Sequence, residues 1–182
     1  MIRSLAIFCG SKSGNNEQYK KDAAELGRLI AEHKIQLIYG GGKNGLMGIA
    51  ADSVMENGGI VKGVIPQILI EWETQHENIS DLLVVEDMHV RKRTMYELCD
   101  AAIVLPGGFG TLDELFEMLT WNQLSIHDKA IFILNSAGFY DHLIQHLQKL
   151  TTEGFLYGDL MEQFVVLNKP VEIISYFKNS AS

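Results

Sequence analysis

The sequence predicts an α/β fold in which a parallel sheet carries helices on both faces. Short runs of β-branched or apolar residues recur along the whole chain, and helical patterns with short links lie between them. Runs that are apolar throughout are typical of strands buried on both faces, and strand–helix alternation favours parallel order. The 182 residues can bury the core of one domain. We therefore expect a single Rossmann-like doubly wound domain over residues 1–178, with a frayed tail at 179–182.

The predicted elements follow one another in a regular order. The strands are Ser4–Cys9, Gln36–Tyr39, Ile60–Ile65, Leu82–Val85, Ala101–Leu105, Ala130–Leu134 and Phe164–Leu167. Helical spacing places two sets of apolar residues on one face each, namely Ala23, Leu26 and Ile30, then Leu112, Leu115, Phe116 and Leu119. Gly58-Gly59 and Gly154 stand where helices should end. The segment Gln67–Ser80 lacks periodicity and is either a lid or rim of the site or a plain surface loop.

Composition narrows the possible partners. The formal charge is −8 and the pI about 5.2, which disfavours general nucleic-acid binding, so positive charge for a phosphate must be local. No apolar run approaches the roughly 18 residues of a membrane span. Cys9 and Cys99 have no CxxC partner and are too few for a disulfide scaffold, so we expect buried thiols and a cytoplasmic protein. The histidines lack metal-ligand spacing, so no metal site is expected.

Ligands of a doubly wound sheet bind beyond the carboxyl ends of its strands, where two loops offer weak signals. Cys9–Asn15 contains Ser11 and Lys12, which suit an anion, but the loop also reads as a simple turn before a helix. Gly40–Gly45 formally matches GxGxxG, yet it follows the second strand and no acid stands about 20 residues further on. An NAD site is therefore not expected, although Gly42 and its neighbours could let backbone approach a ligand.

The third loop gives a stronger signal. Pro106–Thr111 opens the helix at Leu112 and holds three glycines in four positions, which makes sense if the backbone curls round a ligand. The helix N-terminus offers free amide groups and the positive end of the dipole, so we predict a phosphate cradle there. A tight strand–helix turn is the alternative.

Two charged residues near this cradle have both a structural and a functional interpretation. Thr111 and Glu114 fit a capping box, with Thr111 as N-cap and Glu114 as the third helical residue. Arg91 falls inside an apolar helical stripe, whereas Lys92 and Arg93 are expected to point progressively outward. An inward guanidinium needs an anionic partner, either in a fixed ion pair, for instance with Glu114, or in a bound ligand.

Several segments together resemble the Lonely Guy (LOG) family of cytokinin riboside 5′-monophosphate phosphoribohydrolases. The most specific are MHVRK at Met88–Lys92 and LPGGFGTLDELFE at Leu105–Glu117, and CGSKSGNN, YGGGKNGLMG and TWNQLSIHDK extend the likeness over nearly the whole chain. Members are often labelled lysine decarboxylases, but nothing here marks a PLP lysine with its partners.

The resemblance implies a Rossmann-like homodimer that hydrolyses the N-glycosidic bond of a purine nucleoside 5′-monophosphate without metal or organic cofactor. Arg91 and Glu114 match its catalytic positions. The matching substrate-binding positions are Glu73, Lys92, Gly107, Gly108, Phe109, Gly110, Thr111 and Thr120, and we add Ser11 and Gly42 as candidates from the other two loops.

The chemistry of these residues is compatible with that activity. Cleavage builds positive charge on the sugar, which a carboxylate such as Glu114 can stabilise while it orients or deprotonates water. Arg91 would bind phosphate or polarise the leaving base. Two alternatives stay open: a nucleosidase for AMP or other purine nucleotides outside cytokinin metabolism, and a nucleotide carrier or sensor that does not hydrolyse its ligand.

Overall fold

The computed structural model describes residues 2–70, 75–158 and 162–178. Its strands are β1 (Ser4–Phe8), β2 (Gln36–Tyr39), β3 (Ile60–Pro66), β4 (Asp81–Val85), β5 (Ala101–Val104), β6 (Ala130–Leu134) and β7 (Val165–Leu167). Its helices are α1 (Glu17–Glu32), α2 (Gly45–Glu56), α3 (Gln67–Ile70), α4 (Met88–Leu98), α5 (Phe109–Gln123), α6 (Asp141–Thr152) and α7 (Ile174–Lys178). Every predicted strand is confirmed, and each end lies within one residue of its expected position.

The strands form one sheet in the order β4-β3-β2-β1-β5-β6-β7, and all neighbouring strands are parallel. Successive strands run outward from β1 on one side and from β5 on the other. The connections therefore diverge between β1 and β5, and the loops that follow these two strands border a crevice at the carboxyl edge. This confirms the predicted doubly wound topology and puts the first and third loops side by side.

Alternation along β1 shows how the sheet divides the core into two layers. Leu5 and Ile7 pack towards α1 and α2, whereas Ala6 and Phe8 pack towards α4, α5 and α6. In the first layer the predicted stripe of α1 is confirmed, because Ala23, Leu26 and Ile30 are all fully buried. In the second layer Met95 of α4 and Leu115 of α5 are completely covered.

Strand β4 departs from the expectation that every apolar run is buried on both faces. It forms one edge of the sheet, and Leu83 and Val84 are 38% and 44% exposed. An edge strand has a neighbour on one side only, so its apolar side chains receive less cover than those of β1 or β5. Within the described ranges, no helix is long and apolar enough to cross a membrane.

Candidate active site

The third loop packs tightly against the first. Gly10 N donates to Pro106 O over 3.0 Å, and Leu105 N donates to Phe8 O over 2.9 Å. A Cβ atom on Gly107 would lie 2.1 Å from Thr111 Oγ1 and 2.9 Å from Gly10 N, so only glycine fits at this contact. The close approach holds the two loops as one wall of the crevice.

Helix α5 begins earlier than the capping pattern predicted. Its first residue is Phe109 and its N-cap is Gly108, which makes no side-chain cap hydrogen bond. Thr111 is therefore the third helical residue and Glu114 the sixth, so the predicted capping box is wrong. The pattern is misleading because its spacing can occur anywhere in a helix, and here Phe109 and Gly110 already belong to the helix before Thr111. Glu114 consequently has no capping role.

The first turn of α5 presents an anion-binding surface. The bond from Leu112 N to Gly108 O, 3.1 Å long, is the first of the helix. The amides of Phe109, Gly110 and Thr111 precede it and have no acceptor within the helix, so they carry the positive end of its dipole. The Phe109 side chain is 92% exposed, so it leaves the backbone beneath it accessible. These properties fit the predicted phosphate cradle.

Glu114 lies one turn further along α5 and is only 8% exposed. No hydrogen bond or ion pair of its carboxylate is found among the described residues. Burial raises its pKa from the ordinary 4.5 to about 7; Asp113 and Glu117 also raise it, and the Arg91 and Lys92 charges oppose the rise. Glu114 is thus a buried carboxyl group that titrates near neutral pH and that no described residue holds in a hydrogen bond or ion pair.

Arg91 projects from α4 towards the same place and is 7% exposed. Its Nε donates to Val64 O over 3.2 Å, and its Nη2 donates to Gly40 O over 3.3 Å. The described residues include no ion pair of Arg91, so the fixed pair with Glu114 that the sequence left open is not present. Backbone carbonyls instead orient the guanidinium, whose charge stays available for an anion.

Arg91 and Glu114 line one cavity of about 230 Å³ at the carboxyl edge of the sheet. Its other lining residues are Ile7, Phe8, Cys9, Gly10, Ser11, Gly40, Met47, Met88, Gly108, Phe109, Gly110, Thr111 and Asp113. A second cavity of about 220 Å³ adjoins it and shares Gly10, Ser11 and Gly108. The free amides of α5, the buried carboxyl group and the guanidinium therefore open into one continuous crevice.

Lys92 is buried, which corrects the expectation that it points outward from α4. Its Nζ lies 3.0 Å from Asp113 Oδ2 and 2.7 Å from Glu117 Oε2, and its side chain is 10% exposed. The two acids on α5 draw the ammonium into the α4–α5 contact. Tyr96 completes the cluster, because its hydroxyl donates to Glu117 Oε2 over 3.1 Å. Lys92 does not line either cavity of the crevice.

The structure brings some of the other candidates together and separates others. Ser11 lines both cavities, whereas Gly42 lines neither and forms an antiparallel bridge with Gln75. Thr120 is exposed, donates to Phe116 O over 2.7 Å and lines a separate cavity. Glu73 lies outside the described residues.

Cys9 is a cavity-lining residue to which the sequence analysis assigns no role in the site. The sequence predicts a buried thiol at the start of the first loop, and Cys9 is indeed buried and free. Burial raises the pKa of its thiol well above the usual range, and the nearby Glu114 raises it further. The thiol stays neutral and forms a small apolar part of the cavity wall. It follows β1 directly, at the edge of the sheet where ligands of a doubly wound fold bind.

Comparison with known proteins identifies the family. A family model described as possible lysine decarboxylase matches residues 47–177. The probable cytokinin riboside 5′-monophosphate phosphoribohydrolase LOG4 of Oryza sativa subsp. japonica is 38% identical over 181 residues, which cover 100% of this chain and 79% of that protein. The cytokinin riboside 5′-monophosphate phosphoribohydrolase LOG1 of Arabidopsis thaliana is 45% identical to this chain over 155 residues, which cover 85% of this chain and 73% of that protein.

Among solved structures, the Moco carrier protein from Chlamydomonas reinhardtii superposes with a TM-score of 0.73. The alignment covers 98% of this chain and 97% of that one, at 20% identity, and so supports the fold alone. The sequence relatives are much closer and extend over most of both chains. The chain therefore belongs to the Lonely Guy (LOG) family of phosphoribohydrolases, within the group described as possible lysine decarboxylases.

Proposed function

We propose that this protein is an enzyme that hydrolyses the N-glycosidic bond of a purine nucleoside 5′-monophosphate, with cytokinin riboside 5′-monophosphate as its substrate. Water supplies the oxygen that replaces the base at the anomeric carbon, and the products are free base and ribose 5-phosphate. The observation that carries the proposal is the buried carboxyl group of Glu114, which has no partner among the described residues and shares a cavity with Arg91 one turn beyond the free amides of α5. The names of the relatives supply the substrate class.

The first turn of α5 would hold the 5′-phosphate. Three free amides and the helix dipole stabilise an anion there, and the absence of a side chain at Gly108 and Gly110 lets phosphate approach the backbone. Ser11 lies at the junction of the two cavities and can add a hydroxyl. Binding at this point would position the ribose, which supplies part of the rate acceleration.

Glu114 would act on the anomeric carbon. Departure of the base leaves oxocarbenium-like charge on the ribose, and an ionised carboxylate in a buried site stabilises such charge more strongly than in water. A carboxyl group with a pKa of about 7 can also take a proton from the attacking water. Both roles need the ionised form, so activity should rise as the pH passes about 7.

Arg91 would act on the substrate through the nitrogens that its carbonyl partners leave free. A role on phosphate would appear mainly in KM, whereas polarisation of the leaving base would appear mainly in kcat. Lys92 and Thr120, which match substrate-binding positions of the family, lie outside this crevice in one copy of the chain. Their contact with substrate stays a prediction, as does that of Glu73 and Gly42.

We also propose that two copies of the chain associate and that the protein is cytoplasmic. Large apolar side chains are exposed on and after α5 and α6, and a second copy would cover them: Phe116, Leu124, Ile126, Phe155 and Tyr157. The cavity beside Thr120 lies in the same region.

Two free, buried cysteines are typical of a reducing compartment. The single catalytic domain over residues 1–178 is part of the same proposal.

The test is incubation with isopentenyladenosine monophosphate, AMP and GMP, with chromatographic detection of free base. Release from the isopentenyl nucleotide in preference to AMP supports the cytokinin substrate, whereas equal release from AMP and GMP supports the general purine nucleotidase. Nucleotide binding without any base would overturn hydrolysis in favour of a carrier or sensor. The Glu114→Gln protein, purified in parallel, controls for contaminating nucleosidase.

A further inference from the structure

The second glycine-rich loop, Gly40–Gly45, forms part of the support for Arg91. Gly40 O is one of the two carbonyls that accept from its guanidinium, at 3.3 Å from Nη2. A Cβ atom on Gly40 would lie 1.9 Å from that same nitrogen, so a larger residue would occupy the position of the guanidinium. The orientation of Arg91 therefore depends on where this loop holds its first peptide group.

Residues 75 and 76 fasten the loop from the opposite side. His76 N donates to Gly41 O over 3.0 Å, and Gln75 forms an antiparallel bridge with Gly42. Gly41 has a φ of +78°, a backbone conformation that favours glycine. A residue with a side chain would be strained at this position. Three successive glycines are thus restrained by Arg91 at one end and by residues 75–76 at the other.

The imidazole of His76 anchors residues 75 and 76 to α2. It is 2% exposed, and its Nε2 lies 2.9 Å from Asp52 Oδ1. Asn78 N donates to Nδ1 over 3.3 Å, so Nδ1 is the acceptor and Nε2 carries the proton that goes to Asp52. Both ring nitrogens therefore have a hydrogen-bond partner, which fixes the orientation of the ring.

We propose that His76 is a positioning residue, which holds Gly40–Gly42 in place and through Gly40 O orients the Arg91 guanidinium. The kinetic consequence rests on the proposed function, whereas the geometric one does not. A displacement of about 1 Å at a group acting on substrate can cost about a hundredfold in rate. His76 itself lines neither cavity of the crevice, so it acts only through the loop.

The first experiment separates the anchor from general stability. His76→Ala and Asp52→Leu should each lower kcat/KM by about ten- to a hundredfold, because both release the ring from α2. Asp52→Asn should keep near-normal kcat/KM, since the amide oxygen still accepts from Nε2. Asp81→Asn is the matched control: it removes the 2.9 Å Lys62–Asp81 pair between β3 and β4 without touching the loop, and should leave kcat/KM unchanged. Equal kcat/KM in Asp52→Leu and Asp52→Asn would overturn the proposal.

The second experiment tests that the effect passes through Arg91. Arg91→Lys removes the fork that reaches both carbonyls. If His76 acts by orienting that fork, His76→Ala should cause no further loss of kcat/KM in the Arg91→Lys background. A full additional loss would assign His76 a separate role and refute the positioning argument.

A third measurement does not depend on turnover. The ¹⁵N resonance of Arg91 Nε, identified by its loss in Arg91→Lys, should shift or broaden in His76→Ala and Asp52→Leu but not in Asp81→Asn. If that signal moves while the wild-type protein releases no base, the proposed function fails and the positioning role stands. If the wild-type protein is active and His76→Ala changes neither kcat/KM nor the Nε signal, the positioning role fails alone.

Discussion

Replacement of Glu114 by Gln is expected to stabilise the folded protein above neutral pH while it abolishes hydrolysis. Burial raises the pKa of Glu114 from 4.5 to about 7. A carboxyl group with a raised folded-state pKa binds its proton more tightly when folded, so stability falls as the pH rises from the unfolded to the folded pKa. Gln keeps the shape of the side chain without the charge and therefore escapes this loss.

The interval between the two pKa values sets the size of the effect. At about 1.4 kcal/mol per pKa unit, the interval corresponds to about 3 kcal/mol. The advantage of the Gln variant should be fully developed above a pH of about 7.5, fall to about 1 kcal/mol near pH 5.5 and disappear below about pH 4. For a chain of this length, the full effect corresponds to about 6–12 °C in Tm.

Urea unfolding of both proteins at a pH of about 5.5 and about 8.5 would measure this difference. Glu97→Gln, an exposed change on α4, is the control and should show no pH-dependent gain. A Glu114→Gln protein that is less stable at both pH values would refute the reasoning, because it would mean that folded-state contacts hold the carboxylate. Retained hydrolysis in that variant would separately refute the catalytic assignment.

Two further substitutions test the surroundings of Glu114 and the phosphate cradle. Lys92→Met leaves Asp113 and Glu117 uncompensated, so it should raise the pKa of Glu114 and move the acidic limb of the kcat/KM profile to higher pH; an unmoved limb would contradict the electrostatic coupling. Gly110→Ala adds a methyl group that meets nothing within 4 Å and favours the helix by up to about 1 kcal/mol. The melting temperature of the Gly110→Ala protein should not fall, whereas its KM for the nucleotide should rise. An unchanged KM would show that the phosphate does not bind at this turn.

The sequence predicted the sheet well because its strands carry a local signal. Apolar runs between turn residues are visible without knowledge of the fold, and Ala130–Leu134, for example, is both the predicted and the observed strand. The exposure of β4 was not predictable in the same way. A run such as Leu82–Val85 looks alike at the edge and in the centre of a sheet, and only the strand order separates the two cases.

For the site, sequence reasoning succeeded where a residue conflicts with its local surroundings. Arg91 on an apolar stripe was such a conflict, and it is buried beside the cavity. It failed where two residues far apart decide the outcome. Lys92 turns inward because acids on another helix attract it. His76 meets Asp52 across 24 residues, and no local pattern announces that contact.

Helix α5 has one further consequence, which concerns the length of the ligand. Its free amides centre on Gly110 and its buried carboxyl group stands at Glu114, four residues along a rigid rod. At about 1.5 Å per residue, this fixes about 6 Å of axial separation between the backbone positions of Gly110 and Glu114. Under the proposed function, this spacing along the helix suits a ligand made of one phosphate and its ribose. A nucleoside lacks the phosphate that the amides of α5 would bind. A diphosphate would place the anomeric carbon beyond the carboxyl group of Glu114. Under the proposed function, the helix therefore selects monophosphates by distance.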